Sequence, residues 1–86
     1  MYYVYLSRSV RHKGKIYIGF TSDLKKRLGE HFSGKNYTTR RMLPVELVYY
    51  EAYRSKGDAR DREKKLKQYG NSLAHLKKRV SKSLTL

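Results

Sequence analysis

Two short segments near the N-terminus alternate with a period of two, and that alternation limits the possible folds more than any other feature. Tyr2-Tyr3-Val4-Tyr5-Leu6 is aromatic and β-branched, as strands prefer. Period two puts Tyr3 and Tyr5 on one face and Tyr2, Val4 and Leu6 on the other. Lys15 to Phe20 repeats the pattern, with Ile16, Ile18 and Phe20 on one face and Tyr17 and Gly19 on the other. Ser7 to Gly14 between them is polar and basic and ends in glycine, so it reads as a hairpin loop longer than the tight two-residue kind. Antiparallel pairing of the two segments would bring Tyr5 and Tyr17 side by side on the less apolar face.

After the hairpin the period changes to that of a helix. Thr21-Ser22-Asp23 is a helix start in which Ser22 can cap and Asp23 suits the first turn. The helix is expected to run to about Phe32, ending before Gly34, with Leu24, Leu28 and Phe32 as its apolar stripe. Arg27 and His31 are i, i+4 neighbours along the flank of that stripe. Lys35 to Leu43 has no periodicity and reads as a loop closed by Pro44. Val45 to Tyr53 is a third strand, with Val48, Tyr50 and Ala52 opposite Leu47, Tyr49 and Glu51. Ser55-Lys56-Gly57-Asp58 resembles a capping box, and the helix after it should run to about Tyr69 and stop at Gly70-Asn71. Its wheel turns Ala59, Leu66 and Gly70 inward, with Glu63 in the same arc. Asn71 or Ser72 can cap a last helix whose stripe is Leu73, Leu76, Val80 and Leu84. The order β-β-α-β-α-α predicts an α+β fold, a small antiparallel sheet with helices against it, as one domain over residues 1–86.

With 86 residues and no cysteine, the core is thin and unstapled, and there is no thiolate for a zinc site. Nine Tyr and two Phe supply the large contacts instead. No apolar run approaches the ~20 residues needed to cross a bilayer. The chain opens directly on strand-like residues, without a charged, apolar and small-residue leader pattern, so a cytoplasmic location is expected. The 21 Lys+Arg against 7 Asp+Glu leave a net charge of +14, which points to nucleic acid as partner, ahead of an anionic membrane surface or a ribosomal location. Of these cations 11 lie between Arg54 and Lys82, and others cluster at Lys25-Lys26-Arg27, at Lys35 with Arg40-Arg41, and from Arg8 to Lys15. Lys25, Lys26, Lys35, Arg40, Arg41, Arg62 and Lys67 are the candidate phosphate contacts.

Glu63 is the anomaly among the acids. A carboxylate on the inward arc of a basic helix is costly unless something pairs with it. Either it forms an ion pair with a nearby Arg or Lys, or it holds a cation. Magnesium often takes one or two carboxylates and completes its shell with water and substrate phosphate, so one Glu suffices. The seven acids are scattered, so no two-metal cluster is expected. Tyr5 and Tyr17 are packing residues or acid–base groups. Ionising a phenol of pKa ~10 at pH 7 costs about 4 kcal/mol, a cost that Arg27, a metal and the positive field would lower. Arg27 is a surface charge or a fork for the attacked phosphate. His31 on the same flank is structural, or it positions a phosphate or moves a proton. His12 and His75 carry no assigned role. There is no G-x-G-x-x-G and no G-x-x-x-x-G-K, hence no phosphate-binding glycine loop.

Together these residues resemble the GIY-YIG nuclease domain, most closely its small stand-alone bacterial members. The first motif reads Tyr3-Val4-Tyr5, with Tyr where the family name has Gly, and the second, Tyr17-Ile18-Gly19, matches fully. Arg27 and His31 match the family's helix positions. Ala59-x-x-Arg62-Glu63-x-x-Leu66-Lys67 matches the helix that carries the family's metal-binding glutamate. The resemblance implies a three-stranded antiparallel sheet flanked by helices, and endonucleolytic phosphodiester hydrolysis of nucleic acid, DNA before RNA, with a single Mg²⁺ or Mn²⁺. It implies that Glu63 holds the ion, that Tyr5 and Tyr17 handle the attacking water, and that Arg27, supported by His31, stabilises the transition state. DNA repair or recombination is the setting that follows. Many members use an Asn after the glutamate helix, for which Asn71 is the candidate here. Some carry a Lys just after the second motif, where this chain has Phe20. No second domain supplies sequence recognition, so low intrinsic specificity is expected. The other reading is a basic nucleic-acid-binding domain that keeps the fold without turnover.

Overall fold

The computed structural model describes residues 1–12, 14–32 and 44–85, and of residues 31 and 32 only the backbone. Strand β1 (Tyr2–Ser9) lies between β2 (Ile16–Thr21) and β3 (Val45–Tyr53), antiparallel to both. Helix α1 (Leu24–Phe32) follows β2, and α2 (Lys56–Gln68), α3 (Gly70–Arg79) and α4 (Ser81–Leu84) follow β3. This is the expected α+β order with its three-stranded antiparallel sheet.

The period-two reading of the hairpin holds. Val4, Leu6 and Ile18 form the buried core with Ala59 and Leu66 of α2 and Leu76 of α3, while Tyr2, Ile16 and Phe20 pack against its edge. Burying that face drives α2 and α3 onto the sheet. The opposite face carries Tyr3, Tyr5, Tyr17 and Gly19. Leu73, Val80 and Leu84 complete the expected stripe of the last helical segment.

Several local expectations need correction. β1 runs through Ser9 and is not a loop from Ser7, because Ser7, Arg8 and Ser9 pair with Leu47, Glu46 and Val45. Arg8 is buried there, its guanidinium on Glu46 with Nε–Oε1 at 2.9 Å, so it does not belong to the surface cation field. The register slips between Leu6 and Ser7, where Leu6 faces Tyr49 and Ser7 faces Leu47, leaving Val48 as an inserted bulge residue. Both Val48 and Tyr49 therefore pack on the core side, against the simple alternation that would separate them.

The helix ends also differ in detail. Asp23 caps α1, its Oδ1 accepting from the Lys26 N–H at 3.1 Å, in the role expected of Ser22. Thr21 Oγ1 in turn accepts from the Asp23 N–H at 3.0 Å. Ser55 caps α2 as expected, its Oγ accepting from the Asp58 N–H at 3.3 Å. Tyr69 both ends α2 and begins α3, so Gly70 is exposed and not inward, and Asn71 lies in the first turn and not at the cap. The loop expected over Lys35 to Leu43 and the helix stop before Gly34 lie outside the described residues.

Candidate active site

The hairpin register determines how the two tyrosine motifs meet. Tyr5 pairs directly with Gly19, and Tyr17 pairs with Ser7, so Tyr17 is the diagonal neighbour of Tyr5. Their rings lie with centroids 6.1 Å apart at 42°, and their side chains share a hydrogen bond. The Tyr5 ring fills the space over Gly19 that a side chain would take. A Cβ built on Gly19 would fall inside the phenol, at 2.8 Å from Cε1 and closer still to Cζ and the hydroxyl. The glycine of the second motif is thus required by the tyrosine of the first.

Tyr5 is buried, and burial is the largest influence on its phenol, pushing it above the ordinary 10.0. Tyr17 pushes the same way, Arg27 opposes, the hydrogen bond to Tyr17 adds to the rise, and Glu63 adds a little more. The lowering expected from Arg27 is therefore outweighed at Tyr5, whose proton is held. The same influences show what the fold brings together. Residues from β1, β2, α1 and α2, namely Tyr5, Tyr17, Arg27 and Glu63, lie within electrostatic reach of one phenol.

Arg27 is half-buried on α1 and lines a cleft of about 330 Å³ with Thr21, Ser22, Asp23, Lys26 and Glu30. His31 lies on the same helix, and its side chain is outside the described residues. Glu63 is 14% exposed and pairs with Lys67 at 3.1 Å and Arg60 at 3.4 Å, whose side chains are 48% and 57% exposed. Its two partners are exposed cations on its own helix, and i, i+3 or i, i+4 pairs with such side chains are worth a few tenths of a kcal/mol. Arg60 also lies over the Phe20 ring, 4.1 Å from its centroid. Among the described residues no three His, Asp or Glu side chains converge as a metal cluster. A magnesium-type ion that keeps its water and uses substrate phosphate fits a single carboxylate all the same.

The expected phosphate contacts divide. Lys25 and Lys26 are exposed on α1, Lys26 lining the Arg27 cleft and Lys25 a second cleft that shares Ser22 and Asp23 with it. Lys67 is exposed and touches Glu63. Lys35, Arg40 and Arg41 lie outside the described residues. Arg62 is engaged elsewhere. Its guanidinium grips Glu51 of β3 with both ends, Nε to Oε1 at 2.9 Å and Nη2 to Oε2 at 3.1 Å. Tyr49 donates to the same carboxylate at 2.6 Å, and Tyr53 donates to its other oxygen. Burial pushes the Glu51 carboxyl up, but the hydrogen bonds from Arg62, Tyr49 and Tyr53 more than offset it, and the net shift is downward. This network clamps α2 to β3 one residue before Glu63.

Sequence reasoning did not single out this clamp, or Tyr50. The signal for Tyr50 was present in the alternation of β3, where it pairs with Tyr5 and meets Tyr3 edge-on. The signal for the clamp lay hidden by the bulge at Val48, which places Tyr49 and Glu51 on the helix side. Ser7, on the Tyr5 face, buries a hydroxyl without a hydrogen-bond partner among the described groups.

The chain has relatives among known proteins. UPF0213 proteins of Streptococcus pyogenes serotype M5 (strain Manfredo) and serotype M1 are each 46% identical to the chain over 65 residues, covering 71% of this chain and 71% of their own length. No solved structure matches it. The GIY-YIG catalytic domain matches residues 1–80, so the chain belongs to the GIY-YIG family.

Proposed function

We propose that this protein is a divalent-metal-dependent endonuclease that hydrolyses phosphodiester bonds in nucleic acid, DNA in the first instance, with low intrinsic sequence specificity. The observation that carries the reading is the Tyr5–Tyr17 ring pair, with centroids 6.1 Å apart, together with the electrostatic reach of Arg27 and Glu63, on two further elements, to the Tyr5 phenol. A packing role for the tyrosines alone requires neither the cation nor the carboxylate within that reach.

In this reading a water attacks phosphorus as the P–O bond to the leaving oxygen breaks. Tyr17, the more exposed phenol, orients that water and takes part in moving its proton. Tyr5 holds its own proton and donates to Tyr17, fixing the orientation of that ring. Arg27 takes the non-bridging phosphate oxygens and stabilises the charge that builds there. His31 supports the same phosphate. Glu63 would hold Mg²⁺ or Mn²⁺, which when bound supplies charge neutralisation at a non-bridging oxygen. Lys25, Lys26, Lys35, Arg40, Arg41 and Lys67 attract the polyanion, while Arg62 serves by holding α2 in place.

The second reading, a binding domain without turnover, is favoured by the pairing of Glu63 with Lys67 and Arg60. Glu63→Gln separates the two. Because both partners are surface cations, the substitution should change stability by less than ~1 kcal/mol. Binding of a labelled duplex should persist or tighten, and cleavage with Mn²⁺ should collapse. A folded, binding variant that cuts at the wild-type rate would refute the metal-ligand role and the mechanism built on it.

A further inference from the structure

We infer that Tyr3 and Tyr50 form a stacking site for one unpaired nucleobase beside the cleavage centre. The inference rests on the nucleic-acid reading above and adds a substrate feature to it. The tyrosine face of the sheet carries two pairs of rings with different surroundings. Tyr5 and Tyr17 are hydrogen-bonded to each other, with Tyr5 buried. Tyr3 and Tyr50 meet edge-to-face with centroids 6.0 Å apart at 63°, and Tyr50 is 51% exposed. An edge-to-face pair uses the edge of one ring and one face of the other, so it leaves π-surface unspent.

A single exposed tyrosine would need no explanation. This one lines a cleft of about 470 Å³, together with Tyr3, Leu24 and Leu28, and Lys25 stands at the same cleft. The acid in the cleft wall, Asp23, already accepts from the Lys26 N–H as the cap of α1. Aromatic and aliphatic walls with a cation alongside are what a base and its phosphate require. Ser22 and Asp23 line both this cleft and the one containing Arg27, so the two meet at the start of α1. Tyr50 pairs directly with Tyr5 across the sheet. Neighbouring strands lie about 4.8 Å apart, so Tyr50 stands directly beside Tyr5. A base seated on Tyr50 would belong to a nucleotide adjoining the scissile phosphate.

Bases in a continuous duplex are stacked on each other and cannot occupy such a site. The preferred substrate is therefore a strand with an unpaired nucleotide at the cut, as in a flap, a gap or a single strand. The chemistry is that of the nucleobase and is shared by DNA and RNA.

The test is binding in EDTA, so that no outcome depends on cleavage. Oligonucleotides of equal length are compared as single-stranded DNA, the same sequence in RNA, an abasic DNA strand and a full duplex. The wild-type protein should hold a base-bearing strand about 5- to 150-fold more tightly than the abasic one. Tyr50→Ala should lose that margin while binding the abasic strand as before, and Tyr50→Phe should keep it. The chain has no tryptophan, so Tyr50→Trp places a single indole at the site. Its fluorescence should be quenched by base-bearing single strands and left unchanged by the abasic strand and the duplex. Quenching by DNA alone, or by RNA alone, assigns the source of the base and supports the site. Equal binding of base-bearing and abasic strands by the wild type, or an unquenched indole with bound single strand, overturns the stacking site and leaves polyanion binding standing. Failure of the wild type to bind any of the four would overturn the nucleic-acid reading as well.

Discussion

Gly19→Ala adds one methyl group at the closest approach in the site. The added Cβ would lie at 2.8 Å from Tyr5 Cε1 and inside normal contact with Cζ and the hydroxyl, and Tyr5, which must shift to admit it, is buried. Overpacking of that kind costs about 1–3 kcal/mol. The backbone itself raises no objection, since Gly19 does not adopt a left-handed φ, and Ala is favoured over Gly in a strand by roughly 0.5–1 kcal/mol. The net expectation is a loss of about 1–2 kcal/mol, which for a domain of this size lowers Tm by roughly 4–16 °C. Cleavage should fall further than stability does, because a misplacement of about 1 Å at a reacting group can cost ~10²-fold. The decisive comparison is a double-mutant cycle in urea, followed by circular dichroism. Tyr5→Val removes the ring and keeps a strand-forming residue. In that background Gly19→Ala should become stabilising, by about 0.5–1 kcal/mol, because only the backbone effect remains. Equal effects of Gly19→Ala in both backgrounds would refute the claim that the ring is what forbids a side chain.

The Glu51 clamp makes two-sided predictions in pH. The Glu51 carboxyl is depressed below its ordinary 4.5, so the stability it contributes is present above that value and lost as pH falls through the depressed one. Burial and the hydrogen bond to Glu51 push Tyr49 and Tyr53 up to about 12, so their contribution is present below pH 10.0 and lost as pH rises toward 12. Glu51→Gln should cost about 3 kcal/mol at neutral pH, the low end for a broken pair because Arg62 keeps some solvent, and should flatten both arms of the pH–Tm curve. An unchanged acid arm in that variant would place the responsible carboxylate elsewhere. Tyr17→Phe keeps the ring and removes the hydroxyl, so stability should move by no more than ~1.5 kcal/mol while kcat drops by roughly 10²–10⁴. Near wild-type turnover in this variant would transfer the water-handling role to Tyr5.

What was legible in the sequence was whatever repeats or pairs locally. The alternation of Tyr3, Tyr5, Tyr17 and Gly19 predicted the face they share, because register in a short hairpin follows from the pattern. Leu66 and Ala59 predicted the buried face of α2 in the same way. The bulge at Val48 was not legible, since one inserted residue changes the phase of a strand without changing its composition. That slip placed Glu51 on the helix side, and Arg62, which from its charge and motif position reads as a phosphate contact, is held there. Arg8 was misplaced for a related reason, its partner Glu46 lying on a strand remote in sequence. The raised phenol of Tyr5 depends on burial by several elements at once, which no local pattern encodes.

The central position of β1 makes the parts of the site unequal in what it takes to assemble them. Tyr5 and Tyr17 are joined by a short hairpin, whereas Tyr5 and Glu63 are joined by most of the chain. Loop-closure entropy grows as about (3/2)RT ln n, which puts the longer connection at a disadvantage of roughly 1.4 kcal/mol before any contact forms. The phenol pair can persist wherever the hairpin persists. Glu63 reaches it only while α2 stays docked through Ala59, Leu66 and the Arg62–Glu51 clamp. Fraying of the later helices, by heat, truncation or a partner that draws α2 away, would separate the carboxylate from the tyrosines while leaving the tyrosines together.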